Sequence, residues 1–98
     1  MRALVADPSA TPALVLADVP EPTPGPGQLL LDMEAASVNR GEVRLAARQP
    51  AGTVVGWDVA GMVAALGEGV TQFDAGDRVV AVNEAGGSFA ERVVVPAA

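Results

Sequence analysis

The chain reads GWDVAGMVAALGEGVTQFDAGDRVVAV over residues 56–82. Two apolar runs in this stretch, residues 59–66 and 78–82, have the length and the valine and alanine content of buried strands. Glycines at 67–69 and 75–77 interrupt the pattern, and glycine permits tight turns and close approach of two backbones. The stretch therefore predicts two buried strands with a turn-rich connection between them.

Strand-like segments also surround this stretch, separated by turn signals. They are predicted at residues 2–6, 13–19, 28–36 and 88–95, with a brief strand at 53–55. Alternate prolines in residues 20–27 exclude a helix there and indicate an extended connection inside one domain. Residues 39–49 predict a short helix, which Pro50 ends. Six or seven strands with one short helix indicate a mainly β protein, a closed or nearly closed β-barrel.

The composition limits the classes of partner. The 98 residues suit one domain, include no histidine and no cysteine, and carry a net charge of −6. An acidic chain repels phosphate backbones, so nucleic acid is not an expected partner. No apolar run approaches the length of about 18 residues that a membrane helix needs, so no membrane partner is expected either. Without cysteines nothing argues for secretion, and a cytoplasmic location is expected.

Five motifs follow one another in a fixed order. They are Met1–Ala6 with Val19-Pro20, the run PGPGQLLL at 24–31, ASVNRGE at 36–42, the stretch at 56–82, and GGSFAE at 86–91 followed by VVVP. Together they resemble the GroES-like domain of medium-chain alcohol dehydrogenases and quinone oxidoreductases. The resemblance covers the whole chain and implies a partly open, GroES-like β-barrel with one short helix over residues 1–98.

The resemblance also implies which branch of that family is concerned. Zinc-dependent members have a histidine ligand at the position of Trp57 and a cysteine ligand at the position of Asn39. Neither residue here can replace an imidazole or a thiolate as a zinc donor. Only Asn83-Glu84-Ala85 separates Val82 from Gly86, so the cysteine-rich zinc lobe is absent too. The chain resembles the zinc-independent branch, in which NADPH reduces a small-molecule quinone or a conjugated enone, and no metal is expected.

Two residues are the candidate site. By the resemblance, Asn39 is the catalytic and substrate-binding residue, with a hydrogen bond to a substrate carbonyl or to the nicotinamide ribose; a helix N-cap is the structural alternative. Trp57, the only tryptophan, is expected to bind substrate as a flat cleft wall, or else to be part of the core.

Other charged residues have simpler interpretations. Arg40 and Arg44 share one helix face, and we expect them to pair with Glu42 or nearby acids rather than to steer a cofactor. Asp74 and Asp77 flank a turn and are expected to cap it. Glu91 is expected to pair with an arginine across a strand ladder.

No cofactor is expected on this chain. Gln72 stands where a third glycine would complete Gly-x-Gly-x-x-Gly after Gly67, and the turn joins two strands. The Rossmann domain and the C-terminal return segment of the family are expected to be absent, so NADPH is implied only for a full-length parent. The alternative is a standalone, non-enzymatic binding or oligomerisation module. A homo-oligomer is expected in either case, because residues 59–66 and 93–95 are expected to be exposed and apolar.

Overall fold

A computed structural model describes residues 1–83 and 85–98. This part of the chain contains six strands and one helix. They are β1 (Arg2–Ala6), β2 (Leu14–Asp18), β3 (Gln28–Ala35), α1 (Arg40–Ala46), β4 (Asp58–Leu66), β5 (Arg78–Val82) and β6 (Arg92–Pro96). The predicted mainly β fold with one short helix is confirmed, and β1 and β5 have the predicted bounds.

The strands form two antiparallel sheets. One is the hairpin of β1 and β2, and the other has the strand order β5-β4-β3-β6. Isolated bridges from Ala3 to Ala90 and from Val5 to Val54 connect the hairpin to the rest. At the other side, Asn83 Nδ2 donates to the carbonyl of Val94 at 3.2 Å and links the end of β5 to β6. The result is the partly open barrel that the family resemblance implies, and a fully closed barrel is not formed.

Three segments differ from the sequence-based expectation. In each, the backbone hydrogen bonds do not continue a regular strand ladder or α-helix. The brief strand expected at 53–55 is a single bridge at Val54. The last strand begins at Arg92 rather than Ser88, because Phe89 accepts a hydrogen bond from Leu4, and Glu91 donates to Arg2. The helix ends at Ala46 because the following amides make i→i+3 bonds that tighten the chain before Pro50.

The main core lies between β3, β4 and β6. Its buried members are Leu29, Leu31, Val59, Val63, Val93 and Val95. Each is at most 2% exposed. The expectation that residues 59–66 and 93–95 form the exposed apolar surface is therefore wrong for these valines, whereas Met62 and Leu66 of β4 are 38% and 37% exposed. The reason is that β4 is an interior strand that pairs on both sides, while Val93 and Val95 point into the core from β6.

The most exposed large apolar side chains lie elsewhere. Val80 and Val82 of β5 are 83% and 72% exposed, Val38 is 72% exposed, and Leu16 of β2 is 66% exposed. Within residues 1–83 and 85–98, no helix has the length and apolar character needed to cross a bilayer.

Candidate functional site

The site is built around the start of α1, where Asn39 is the N-cap residue with an extended backbone. The Asn39 backbone N–H donates to Glu42 Oε1 at 2.7 Å, and its side-chain Nδ2 donates to the same oxygen at 2.6 Å. A glutamate three residues after the N-cap commonly reaches back in this way. The structural alternative for Asn39, a helix cap, is therefore confirmed.

Trp57 directly precedes β4 and packs on the same turn of helix. A Cβ atom added to Gly41 would lie only 2.7 Å from Trp57 Cη2, so the indole packs directly against the glycine backbone. The Trp57 backbone N–H donates to Glu42 Oε2 at 2.6 Å. Trp57 is half-buried, packs its indole against Gly41 and also lines a cavity.

Glu42 is the site residue that the sequence-based reasoning missed. Its side chain is 1% exposed and accepts hydrogen bonds from Asn39 and Trp57. The expected pairing of Glu42 with Arg40 or Arg44 is wrong, because the carboxylate faces inward while both arginines are exposed. The Asn-x-x-Glu spacing before an apolar run was the signal that could have identified it.

Asp58 adds a second carboxylate to the site. Its Oδ1 accepts from the Ser37 backbone N–H at 2.9 Å, and its Oδ2 accepts from Ser37 Oγ at 2.6 Å. The Ser37 hydroxyl, then its backbone N–H, lower the pKa of Asp58 below the usual value, and Asn39 Nδ2, 3.4 Å away, contributes in the same direction. Ser37, Asn39 and Asp58 therefore form a polar cluster that carries a negative charge.

This polar cluster lies beside an open apolar groove between β4 and β5, which we call the β4–β5 groove. It is lined by Ala35, Ala36, Ser37, Asp58, Val59, Ala60, Val80, Ala81 and Val82. Trp57 and Glu42 instead line a smaller cavity with Leu45 and Gln49. The two predicted site residues are thus joined through Glu42, and the groove and the cavity share no lining residue.

The remaining charged candidates have structural roles. The Asp74 backbone N–H donates to Asp77 Oδ2 at 2.9 Å and the Asp77 N–H donates to the Asp74 carbonyl, so the predicted turn capping is confirmed. Glu91 pairs with Arg2, with 3.5 Å between Glu91 Oε1 and Arg2 Nε. The Arg2 backbone N–H is the main cause of the lowered pKa of Glu91.

Neither a zinc site nor a dinucleotide turn fits the residues present. The whole sequence lacks histidine and cysteine, and in the described part no three metal-binding side chains cluster. Gly67 donates its N–H to the Gln28 carbonyl at 2.7 Å, and a Cβ there would collide with the Gly25 carbonyl oxygen. The glycine turn after β4 therefore serves close backbone packing, and no helix begins between β4 and β5 to hold a phosphate.

The sequence matches the family model of the alcohol dehydrogenase GroES-like domain over residues 25–98. A human synaptic vesicle membrane protein VAT-1 homolog is 43% identical over 82 residues, 76% of this chain. A trans-enoyl reductase of Fusarium mangiferae is 38% identical over 93% of the chain. A chloroplastic quinone-oxidoreductase homolog of Spinacia oleracea is 39% identical over 86%. The matched regions make up 20%, 24% and 28% of these relatives, so the chain spans about a quarter of their length.

Solved structures show the same fold. A 2-haloacrylate reductase superimposes with a TM-score of 0.84 at 32% identity, covering 99% of this chain and 29% of that one. A mycobacterial protein in complex with NADPH superimposes with a TM-score of 0.82 at 34% identity, covering 99% of this chain and 32% of that one.

Proposed function

The chain belongs to the alcohol dehydrogenase GroES-like domain family, and we propose that it is the substrate-side domain of an NADPH-dependent, zinc-independent oxidoreductase that reduces a quinone or a conjugated enone. The observation that carries this proposal is the polar cluster of Ser37, Asn39 and Asp58 beside the apolar β4–β5 groove. A mostly apolar recess with a few fixed polar groups suits a small apolar substrate with one reacting oxygen. The relatives named as a trans-enoyl reductase and a quinone-oxidoreductase homolog support the same class.

Asn39 is proposed to hydrogen-bond the substrate, and its geometry supports this role. One hydrogen of Nδ2 is directed at Glu42 Oε1 at 2.6 Å. The other acceptors, Asp58 Oδ2 and Ser37 Oγ, lie 3.4 and 3.5 Å away, which is long for an N–H donor. The second hydrogen makes only these long contacts and can turn to a substrate carbonyl oxygen, while Trp57 is proposed as an apolar wall from the neighbouring cavity that it lines with Glu42.

The zinc-independent branch is proposed from the donor set, because Asn39 and Trp57 stand where the resemblance places zinc ligands and neither is a zinc donor. NADPH would supply the hydride, but the residues of this chain do not fit its phosphates. We therefore propose that another domain of a longer parent binds the cofactor, in keeping with the quarter of the relatives' length that this chain spans. A cytoplasmic location is proposed for a chain without cysteine.

The proposal is tested by kinetics of the oxidoreductase that contains this domain. Replacing Asn39 with alanine removes one hydrogen bond to the reacting oxygen, so kcat/KM should fall about tenfold to a hundredfold, or roughly 1.4–3 kcal/mol. Replacing Trp57 with alanine should shift preference toward bulkier enones. The exposed Thr71, changed to alanine, is the control and should leave both unchanged. Unaltered kinetics with a large fall in melting temperature would assign both residues to folding alone.

A further inference from the structure

One buried carboxylate contacts both candidate site residues. Glu42 Oε1 accepts from the backbone N–H and from Nδ2 of Asn39, at 2.7 and 2.6 Å. Glu42 Oε2 accepts from the backbone N–H of Trp57 at 2.6 Å, fifteen residues further along the chain. The two oxygens of a single planar group thus hold the start of α1 and the start of β4 at a fixed separation.

This arrangement does more than helix capping requires. A cap needs only the contact with Asn39, whereas the bond to Trp57 crosses to another element. Burial of a carboxylate is costly unless donors surround it, and Glu42 is 1% exposed. The ion pairs found in the described part of the chain involve Glu21, Asp32, Glu34 and Glu91. Glu42 instead has three short N–H donors, and hydrogen bonds to a carboxylate are stronger than those between neutral groups.

Trp57 is held at a second point by the same turn of helix. Its indole packs against Gly41, where even a methyl group would collide with it. Between α1 and β4 the chain passes through Gly56, whose φ of +111° is a conformation that other residues avoid. Loss of the bond to Glu42 would leave the Trp57 backbone held only through its carbonyl, which accepts from the Asn83 N–H, and the indole could then tilt away from Gly41.

We propose that Glu42 is a positioning residue that fixes the Asn39 amide relative to the Trp57 indole. This inference rests on the proposed function for its kinetic consequence only, because the structural coupling can be measured without any activity. Since a shift of about 1 Å at a site can cost up to about a hundredfold in rate, Glu42 would control turnover without touching the substrate.

The first test uses the 98-residue chain, whose only tryptophan is Trp57. In Glu42→Gln one oxygen becomes an NH₂ group that faces an N–H donor, so the Trp57 emission should move to longer wavelength and acrylamide quenching should increase. Glu42→Asp keeps the carboxylate and should restore part of the native signal. Glu68→Gln makes the same chemical change at an exposed turn and should leave the emission unchanged.

A variant that only weakens the helix distinguishes a purely structural role of Glu42 from the proposed positioning role. Val43→Gly lowers the helix propensity of α1 and leaves the Glu42 carboxylate in place. At a temperature where all variants are folded, Val43→Gly should keep the native emission while Glu42→Gln does not. Equal emission in Val43→Gly and Glu42→Gln, whether native or shifted, would overturn the proposal.

Two further measurements complete the test. If neither Glu42 variant folds, amide hydrogen exchange of the native chain decides: Trp57 N–H should be strongly protected, and exchange at the rate of an exposed loop would overturn the proposal. In the full oxidoreductase, Glu42→Gln should lower kcat about tenfold or more, with Glu42→Asp between it and the native enzyme. Lack of reductase activity in the native protein would refute the proposed function and leave the emission result standing.

Discussion

At the scale of single residues, Ser37 and Asp58 show how a partly exposed carboxylate is kept charged. Ser37 donates through both its backbone N–H and its hydroxyl, and the two bonds lower the pKa of Asp58. A group whose pKa is lower in the folded state stabilises the fold above its unfolded pKa. That contribution disappears as the pH falls through the folded value.

We therefore expect Ser37→Ala to reduce stability at pH 7, because the hydroxyl is the main cause of the lowered pKa. The difference in stability from the native chain should shrink as the pH falls below 3.8, the usual pKa of aspartate. Urea unfolding at a series of pH values measures it. In an Asp58→Asn background the pH dependence of the Ser37→Ala effect should vanish; a Ser37→Ala penalty that is the same at low and neutral pH would contradict this explanation.

At the scale of elements, β4 organises the molecule because it pairs with β3 on one side and β5 on the other. Its pairing with β3 contains two register shifts, one between Leu30 and Leu31 and one between Met33 and Ala35. Gly61 lies next to the second irregularity, and a Cβ there would collide with the Asp32 carbonyl oxygen. A glycine is required because the two backbones approach too closely for any side chain.

Gly61→Ala should therefore destabilise the chain by about 1–3 kcal/mol, as overpacking does. Without the collision, replacing this glycine with alanine would be expected to stabilise the folded chain, because alanine lowers the conformational entropy of the unfolded state. The control is Gly69→Asn, at a turn with φ of +83° and nothing within 4 Å of the added Cβ, where asparagine tolerates the left-handed backbone. Chemical unfolding measures the free energy of unfolding of both variants and of the native chain. A Gly61→Ala chain as stable as the native one would contradict the prediction, because it would show that β3 and β4 can move apart to accept a side chain.

At the scale of the whole molecule, two features of the surface determine what the chain can bind. The most exposed large apolar side chains of the large sheet are Val80 and Val82 at its β5 edge. The net charge is −6. The exposed valines favour association with an apolar surface, and the negative net charge disfavours the binding of anions.

Self-association should therefore involve β5 rather than the core valines of β4 and β6. We expect the isolated chain to form dimers at about tens of micromolar, because an unpaired edge with exposed valines invites a second copy. Sedimentation of the native chain and of a Val80→Thr/Val82→Thr variant measures this. The variant should be monomeric at the same concentration; a monomeric native chain, or a variant that still dimerises, would contradict the prediction.

The isolated chain should not bind NADPH with useful affinity. Gly67 packs against the backbone of residues 25–28, and the acidic chain repels the phosphates. Titration followed by NADPH fluorescence tests this, with the proposed full-length oxidoreductase as the positive control. Saturable micromolar binding to the 98-residue chain would show that a phosphate site exists within it.

Local patterns in the sequence are enough to place most strands and to exclude thiolate and imidazole chemistry. Strand periodicity and turn residues act over a few positions, so β1, β5 and the mainly β fold follow from them, and the absence of histidine and cysteine is visible directly. The order of the motifs further identifies the GroES-like family, which the family model confirms over residues 25–98.

The tertiary structure alone decided which apolar residues are buried and which residues meet at the site. In β5, Val79 and Ala81 pack on the core while Val80 and Val82 face outward. All four are apolar, so alternation could not show which face is inside. Glu42 and Trp57 are brought together by the path of the chain from α1 to β4. Such a contact depends on where distant elements pack, and no local pattern in either segment contains that information.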